Sequence, residues 1–287
     1  MAAAGAPDSR HGAPQIELAP AGRDPARPVA GPGSWYFQRT LTSFTRMRSL
    51  NPDIRILQGT DRPYPDADVN IVIDVIRAFT VAHVAFQRGV GEILLVNSVE
   101  EAMALRAHNP AVLLAGEIKG LGIPGFDLDN SPYRASLAAL DGRTLVQKTT
   151  NGVKATLAAL RARHVFVTGY SNARTTARHV RALMAQRQLH TVNVIASHGH
   201  DDDDLACAEF IQDQILDLGR LDPAAVVQRI RNSRPAAKFL VQPPGEFEPR
   251  DLDFCTAAQL CDFVMEVDRT GAVPTIRKCE VAQSKGS

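Results

Sequence analysis

The chain has 287 residues, 45% of them hydrophobic, enough apolar material for one large core or two small ones. Its 32 basic and 31 acidic residues leave a formal net charge of +1, so no long-range field gathers nucleic acid or an anionic membrane surface. No apolar run reaches the ~18 residues of a membrane span, and Cys207, Cys255, Cys261 and Cys279 form neither a CxxC pair nor a zinc-spaced set, which points to the reduced cytoplasm.

Residues 1–34 are rich in Ala, Pro, Gly and Arg and lack the apolar stretch of a signal peptide, so a disordered extension is expected there. Residues 35–278 read as one domain and 279–287 as a flexible tail. Val69–Asp74 is a continuous β-branched run of the kind a doubly covered strand needs. A helical pattern follows over Phe79–Gln87 and stops at Gly89. Glu92–Val96 is the next strand, and Ser98 with Glu101 forms a capping box that opens a helix. Ala111–Ala115 is a third strand. After a long loop, Ser131-Pro132 supplies the N-cap and first residue of a short helix. Arg143–Gln147, His164–Thr168 and Thr191–Ser197 read as three more strands, each followed by a helical stretch. Beyond Asp222-Pro223, another N-cap pair, the pattern weakens to one or two helices and an edge strand. The alternation predicts a three-layer α/β/α fold around a mostly parallel or mixed central sheet.

In such sheets ligands bind beyond the carboxyl ends of the strands. Asp74 and Arg77 follow the first run, Glu117 and Lys119 the third, and Lys148–Gly152 the fourth. Ser171-Asn172 follows the fifth, and His198 through Asp204 the sixth. Thr149-Thr150-Asn151-Gly152 is the best candidate phosphate cradle, with an ordinary asparagine cap as the alternative. Asp74 has the chemistry to bind a divalent cation or act as a nucleophile, and Arg77 to grip an anion. The structural alternatives are ion pairs, Asp74 with Arg77 and Glu117 with Lys119. The Asp201–Asp204 run reads as a solvated, helix-capping patch with at most one member facing a site. His198 and His200 stand at HxH spacing without a third ligand, so neither is assigned to a metal. Gly120–Gly125 matches GxGxxG formally, but it does not directly follow a strand, and Pro124 stands against a helix opening there. A haloacid-dehalogenase-type phosphatase is excluded, because Ile76 stands where a second Asp is required.

Taken in order, Ile73-Asp74-Val75-Ile76-Arg77-Ala78, Gly116-Glu117, Gly125-Phe126-Asp127, Asn130-Ser131-Pro132, Thr149-Thr150-Asn151-Gly152, Ser171-Asn172-Ala173 and Asp202-Asp203 resemble the motifs of the 2-phosphosulfolactate phosphatase family. The resemblance runs over about 69–215, with a weaker echo at 251–255. It implies Mg²⁺-dependent hydrolysis of the phosphate ester of a small 2-hydroxy acid. The site positions it implies are Asp74, Arg77, Glu117, Asn130, Ser131, Thr149, Thr150, Asn151, Gly152, Asn172 and Asp203, with Mg²⁺ on some of Asp74, Glu117 and Asp203. Lys119 or Arg174, together with Arg77, is the candidate for holding the non-phosphate end of the substrate. The chain departs from the family pattern at Ile118, where many members carry Arg, at Phe79, where a small or hydroxyl residue is usual, and at Val153, often Thr. The reaction type is therefore better supported than the substrate.

The competing readings are a non-catalytic or regulatory small-anion binder on the same fold, and a lyase acting on a phosphorylated acid. A binder needs the cradle but not the carboxylates, so their joint presence favours an enzyme. No nucleic-acid or membrane partner is expected, and homo-oligomerisation is compatible with the sequence.

Overall fold

Local chemistry sets the ends of several elements in the computed structural model, which describes residues 52–60, 63–241, 245 and 247–281. These residues fall within one compact unit, 49–287. The expected N-terminal extension lies outside the described residues, as do 282–287.

The chain begins with β1 (Asp53–Gln58), a strand not anticipated from sequence, and β2 (Val69–Ile73), buried at every position. Then come α1 (Ala78–Gln87), β3 (Glu92–Leu95) and α2 (Val99–His108). The Ser98 hydroxyl accepts the Glu101 N–H at 3.1 Å, and the Glu101 carboxylate returns to the Asn97 N–H at 2.8 Å. β4 (Leu113–Ile118) runs on past Ala115, because Gly116 still pairs with Lys148 and Glu117 with Gly122 of β5 (Leu121–Gly122). Ser131 caps α3 (Pro132–Leu137), accepting the Arg134 N–H. Next are β6 (Thr144–Lys148), α4 (Gly152–Ala158), β7 (His164–Thr168), α5 (Ala173–Arg187), β8 (Thr191–Ala196) and α6 (Asp202–Leu216). Asp222 caps α7 (Pro223–Arg231) through the Ala224 N–H at 3.0 Å. The last third adds α8 (Arg234–Val241), α9 (Asp251–Thr256), β9 (Phe263–Asp268) and β10 (Thr275–Glu280). β10 continues through Glu280, past the expected start of a loose tail. No helix among the described residues is long and apolar enough to cross a membrane.

The strands form a ten-stranded sheet in the order β1-β8-β2-β7-β9-β10-β3-β6-β4-β5. β1, β8, β2 and β7 are mutually parallel, as are β3, β6 and β4. The β9–β10 hairpin joins the two blocks through three antiparallel pairings. It sits in the middle of the sheet, so the expectation of an edge strand for this region is corrected. The three reversals also make β2 and β4 run in opposite senses, so Asp74 and Glu117 are not brought together as the ends of neighbouring parallel strands.

Curvature brings them together instead. β2 and β6 are five places apart in the sheet, ~24 Å if it were flat. Gly152, four residues past β6, nonetheless donates its N–H to Asp74, one residue past β2, at 3.0 Å. Four residues reach only ~14 Å. The sheet therefore does not lie flat: it must curl out of plane between β2 and β6. Helices complete a three-layer arrangement. α5, α6 and α7 pack one apolar cluster around Phe166, Tyr170 and Phe210, while α1 and α4 pack another around Phe79, Leu145 and Met265.

Candidate active site

A cleft of about 400 Å³ opens where β2, the β4–β5 turn and the start of α4 converge beneath α8. Asp74, Arg77, Glu117, Lys119, Asn130, Thr150 and Asn151, all singled out from sequence, line it.

Asp74 is buried and held by the backbone. Its Oδ1 accepts the Ala78 N–H at 2.9 Å and its Oδ2 the Gly152 N–H. Any side chain at Gly152 would place its Cβ 2.6 Å from that same Oδ2, so glycine is required there by the carboxylate's approach. Burial, and after it the charge of Asp204, pushes the Asp74 carboxyl up to about 8. Asp203 is also buried, and its Oδ1 has no hydrogen-bond partner among the described residues. Burial raises its carboxyl too, and the Asp74 charge adds to the effect. Asp204 differs from Asp203 in being saturated: it accepts the Val75 N–H, the Ser197 hydroxyl and the His198 N–H. The expectation of a solvated patch is thus corrected. Asp201, Asp203 and Asp204 are all buried, and only Asp202 reaches out, to Arg229. The run reads as surface in a one-dimensional pattern, but Val75, Ser197, His198 and Arg234 close around it.

Glu117 is braced rather than free. Its carboxylate accepts the Thr150 N–H and hydroxyl and the Gly120 N–H, tying the β4–β5 turn to the start of α4. The glycine before it is equally constrained. Gly116 has φ +156°, and a Cβ there would lie 1.9 Å from the Lys148 carbonyl oxygen. Lys119, at φ 54°, gives its N–H to the Thr150 hydroxyl and leaves its ammonium without an ion pair among the described residues. Asn130 is buried at the cleft, and its Oδ1 has no partner among the described residues.

Comparison with known proteins identifies the family. The family model described as 2-phosphosulpholactate phosphatase matches residues 57–270. A Bacillus subtilis protein is 49% identical over 225 residues, 78% of this chain and 98% of that protein. A Deinococcus radiodurans protein is 43% identical over 164 residues, 55% of this chain and 65% of its own length. A Thermus thermophilus protein is 32% identical over 238 residues, 78% of this chain and 93% of its own. Each is named a probable 2-phosphosulfolactate phosphatase. The chain belongs to the 2-phosphosulfolactate phosphatase family.

Not every position that the family resemblance singled out reaches the cleft. Arg77 lines it, but its guanidinium is spent: Nη1 pairs with Asp251 at 2.9 Å and Nη2 donates to the Gly120 carbonyl at 2.7 Å. The rings of Phe239 and Phe247 stand 5.2 and 5.4 Å from it. So neither anticipated ion pair forms, Asp74 with Arg77 or Glu117 with Lys119. Ser131 caps α3 and donates to Asp251 at 2.6 Å. Thr149 caps α4 by accepting the Val153 N–H at 3.0 Å, a task expected of Asn151, whose side chain makes no capping bond. Asn172 accepts from the Thr168 hydroxyl and the Gly169 N–H, so it braces the turn after β7. Arg174 lines a separate cavity of about 150 Å³ with Tyr170 and Phe210, and is removed from the substrate-binding set.

The 2-phosphosulfolactate phosphatase motifs also missed part of the wall. His198, Asp201, Arg234, Lys238, Phe239 and Phe247 face the same cleft. Asp201 is the hub, holding Arg234 through two bonds of 2.8 and 3.1 Å. His198 Nδ1 lies 2.9 Å from it without a directed hydrogen bond. The available signal was the apolar–basic periodicity of Arg234–Val241, where 234 and 238 fall one turn apart on a helix face.

Proposed function

We propose that this chain is a phosphoric monoester hydrolase acting on a small phosphorylated 2-hydroxy acid such as 2-phosphosulfolactate, with Mg²⁺ and in the cytoplasm. One observation carries the reading: Asp74, a buried carboxylate with no cationic partner among the described residues, lines a cleft beside Thr150, Asn151 and Lys119, and Asp203, buried behind it, feels its charge. The four cysteines are all free thiols, in keeping with a reducing compartment.

The residues fit a hard divalent cation. Asp203 Oδ1 is a buried acceptor lacking a donor, and crowded carboxyls of raised pKa gain from a neighbouring positive charge. Among the described residues no three His, Cys, Asp or Glu side chains form a ready-made cage. Mg²⁺ needs only one or two carboxylates beside water and substrate phosphate. Asp74 and Asp203 would hold it, and Glu117, whose oxygens are engaged by Thr150 and Gly120, would keep the turn in place. The bound ion would neutralise phosphoryl charge and acidify a water. The protein's own part is positioning. The Gly152 and Ala78 N–H groups aim Asp74, Asn151 and Lys119 offer donors to phosphoryl oxygens, and the Thr149 cap fixes the start of α4.

Phosphate release from 2-phosphosulfolactate, 2-phospholactate and an alkyl phosphate, each with MgCl₂ and with EDTA, tests the proposal. Release from the acid esters in Mg²⁺ and its loss in EDTA is the expected outcome. No release from any ester in Mg²⁺ leaves the binder reading, and a rate indifferent to EDTA removes the metal.

A further inference from the structure

A 2-hydroxy acid phosphate carries at least one anionic group besides the phosphate, and a cleft that selects such esters needs a cation for it. The cations on the cleft wall are not equally available. Arg77 is neutralised by Asp251, and Arg234 by its two bonds to Asp201. Lys119 sits beside Glu117 and Thr150, at the end proposed for the phosphoryl group. Lys238 remains: it lines the cleft, and its ammonium forms no hydrogen bond or ion pair among the described residues. His198 lines the same cleft, and its imidazole is lowered chiefly by burial, against the Asp201 charge, with Arg234 and Lys238 adding to the lowering, so Lys238 stands near it.

The helix that carries Lys238 is anchored where it matters. Ala236 and Phe239 are buried in a cluster with Phe247 and Leu252. Phe239, the next residue, stacks against the Arg77 guanidinium, which in turn follows Asp74 by three residues. Arg234, one turn before Lys238, is clamped to the buried Asp201 at the start of α6. The ammonium is therefore presented from a backbone fixed to both the Asp74 and Asp203 segments. The Lys238 side chain is exposed, but its helix is anchored on both sides, so the cation stays on this wall of the cleft, at a limited range of distances from the phosphoryl end.

We infer that Lys238 is a specificity-determining residue that binds the non-phosphate acid group of the substrate, an inference that rests on the phosphatase reading above. It takes over the role expected of Lys119 or Arg174 together with Arg77.

Three matched esters test it: 2-phosphosulfolactate, 2-phospholactate and isopropyl phosphate, which lose the sulfonate and then the carboxylate on nearly one skeleton. Lys238→Met is expected to lower the kcat/KM preference for the acid esters over isopropyl phosphate by about tenfold, through KM, with Lys238→Arg restoring most of it. Binding of the dephosphorylated product, 3-sulfolactate, measured by calorimetry, gives a readout independent of turnover. Its Kd should rise about tenfold in Lys238→Met. An unchanged ester preference, or equal product affinity in wild type and Lys238→Met, overturns the inference. Product binding without turnover of any ester would instead sink the phosphatase reading and leave the Lys238 contact standing as an anion site.

Discussion

Asp74 and Asp251 are both buried carboxylates, both tied to the segment that follows β2, yet their surroundings are opposite. Asp251, fully buried, has an arginine at 2.9 Å, the Ser131 hydroxyl at 2.6 Å and the Tyr133 N–H at 3.1 Å. Asp74 has two backbone N–H groups, and its charged neighbours are Asp204 and Glu117. A third buried ionisable group takes another course: His83 of α1, beside Ser171 at 2.9 Å, has its pKa driven down by burial to about 4 and so stays neutral. Pairing and neutrality are both self-sufficient ways to bury a titratable group. The Asp74–Asp203 pair has no such arginine among the described residues, and its raised carboxyls stay largely neutral unless a positive charge arrives, as the proposed cation would, whereas Asp251 is a structural anchor that has one already.

Substitution should separate the three cases. The largest effect is expected at the unpaired carboxylates. Asp74→Asn or Asp203→Asn should lower kcat/KM by about a thousandfold or more, ~4 kcal/mol. The melting temperature should hold or rise, since repulsion is relieved. Early melting with the rate per folded molecule preserved would make these carboxylates structural and erase the contrast with Asp251. Next in size, Arg77→Met strands Asp251 in the interior and should cost ~3–5 kcal/mol in denaturant unfolding. A variant as stable as wild type would show that Ser131 and Tyr133 suffice for Asp251.

The smallest effect is a pH dependence. His83 binds its proton less readily folded than unfolded, so its contribution to stability is whole above about 6.5 and is lost as pH falls through about 4. At most ~3 kcal/mol is at stake. The difference in melting temperature between wild type and His83→Gln should therefore shrink or reverse between pH 7 and pH 4.5. A difference that stays constant over that range would mean the imidazole is not kept neutral.

Much of the site was readable because its residues sit where local rules place them. Asp74 ends a continuous apolar strand, and the Thr149–Gly152 turn opens a helix after another. The assignments that failed depend on distant partners. Arg77 and Asp251 are separated by 174 positions, and no periodicity links them. Asp203 reads like its neighbour Asp202 in an acidic run, yet one is buried with no partner on Oδ1 among the described residues and the other pairs with Arg229 at the surface. α8 reads as an ordinary amphipathic helix until the cleft it covers is known.

The sequence by itself determined most of the elements and several of their ends. The β-branched runs and the caps at Ser98, Ser131 and Asp222 follow from backbone preferences and nearest-neighbour hydrogen bonds. Only the tertiary structure decided that the β9–β10 hairpin enters the middle of the sheet, reverses one block against the other, and leaves coiling to reunite Asp74 with Gly152. Strand pairing joins residues far apart in the chain through backbone groups common to every residue. The choice of neighbour, and with it which carboxylates share a cleft, is settled by the burial of whole faces rather than by any local pattern.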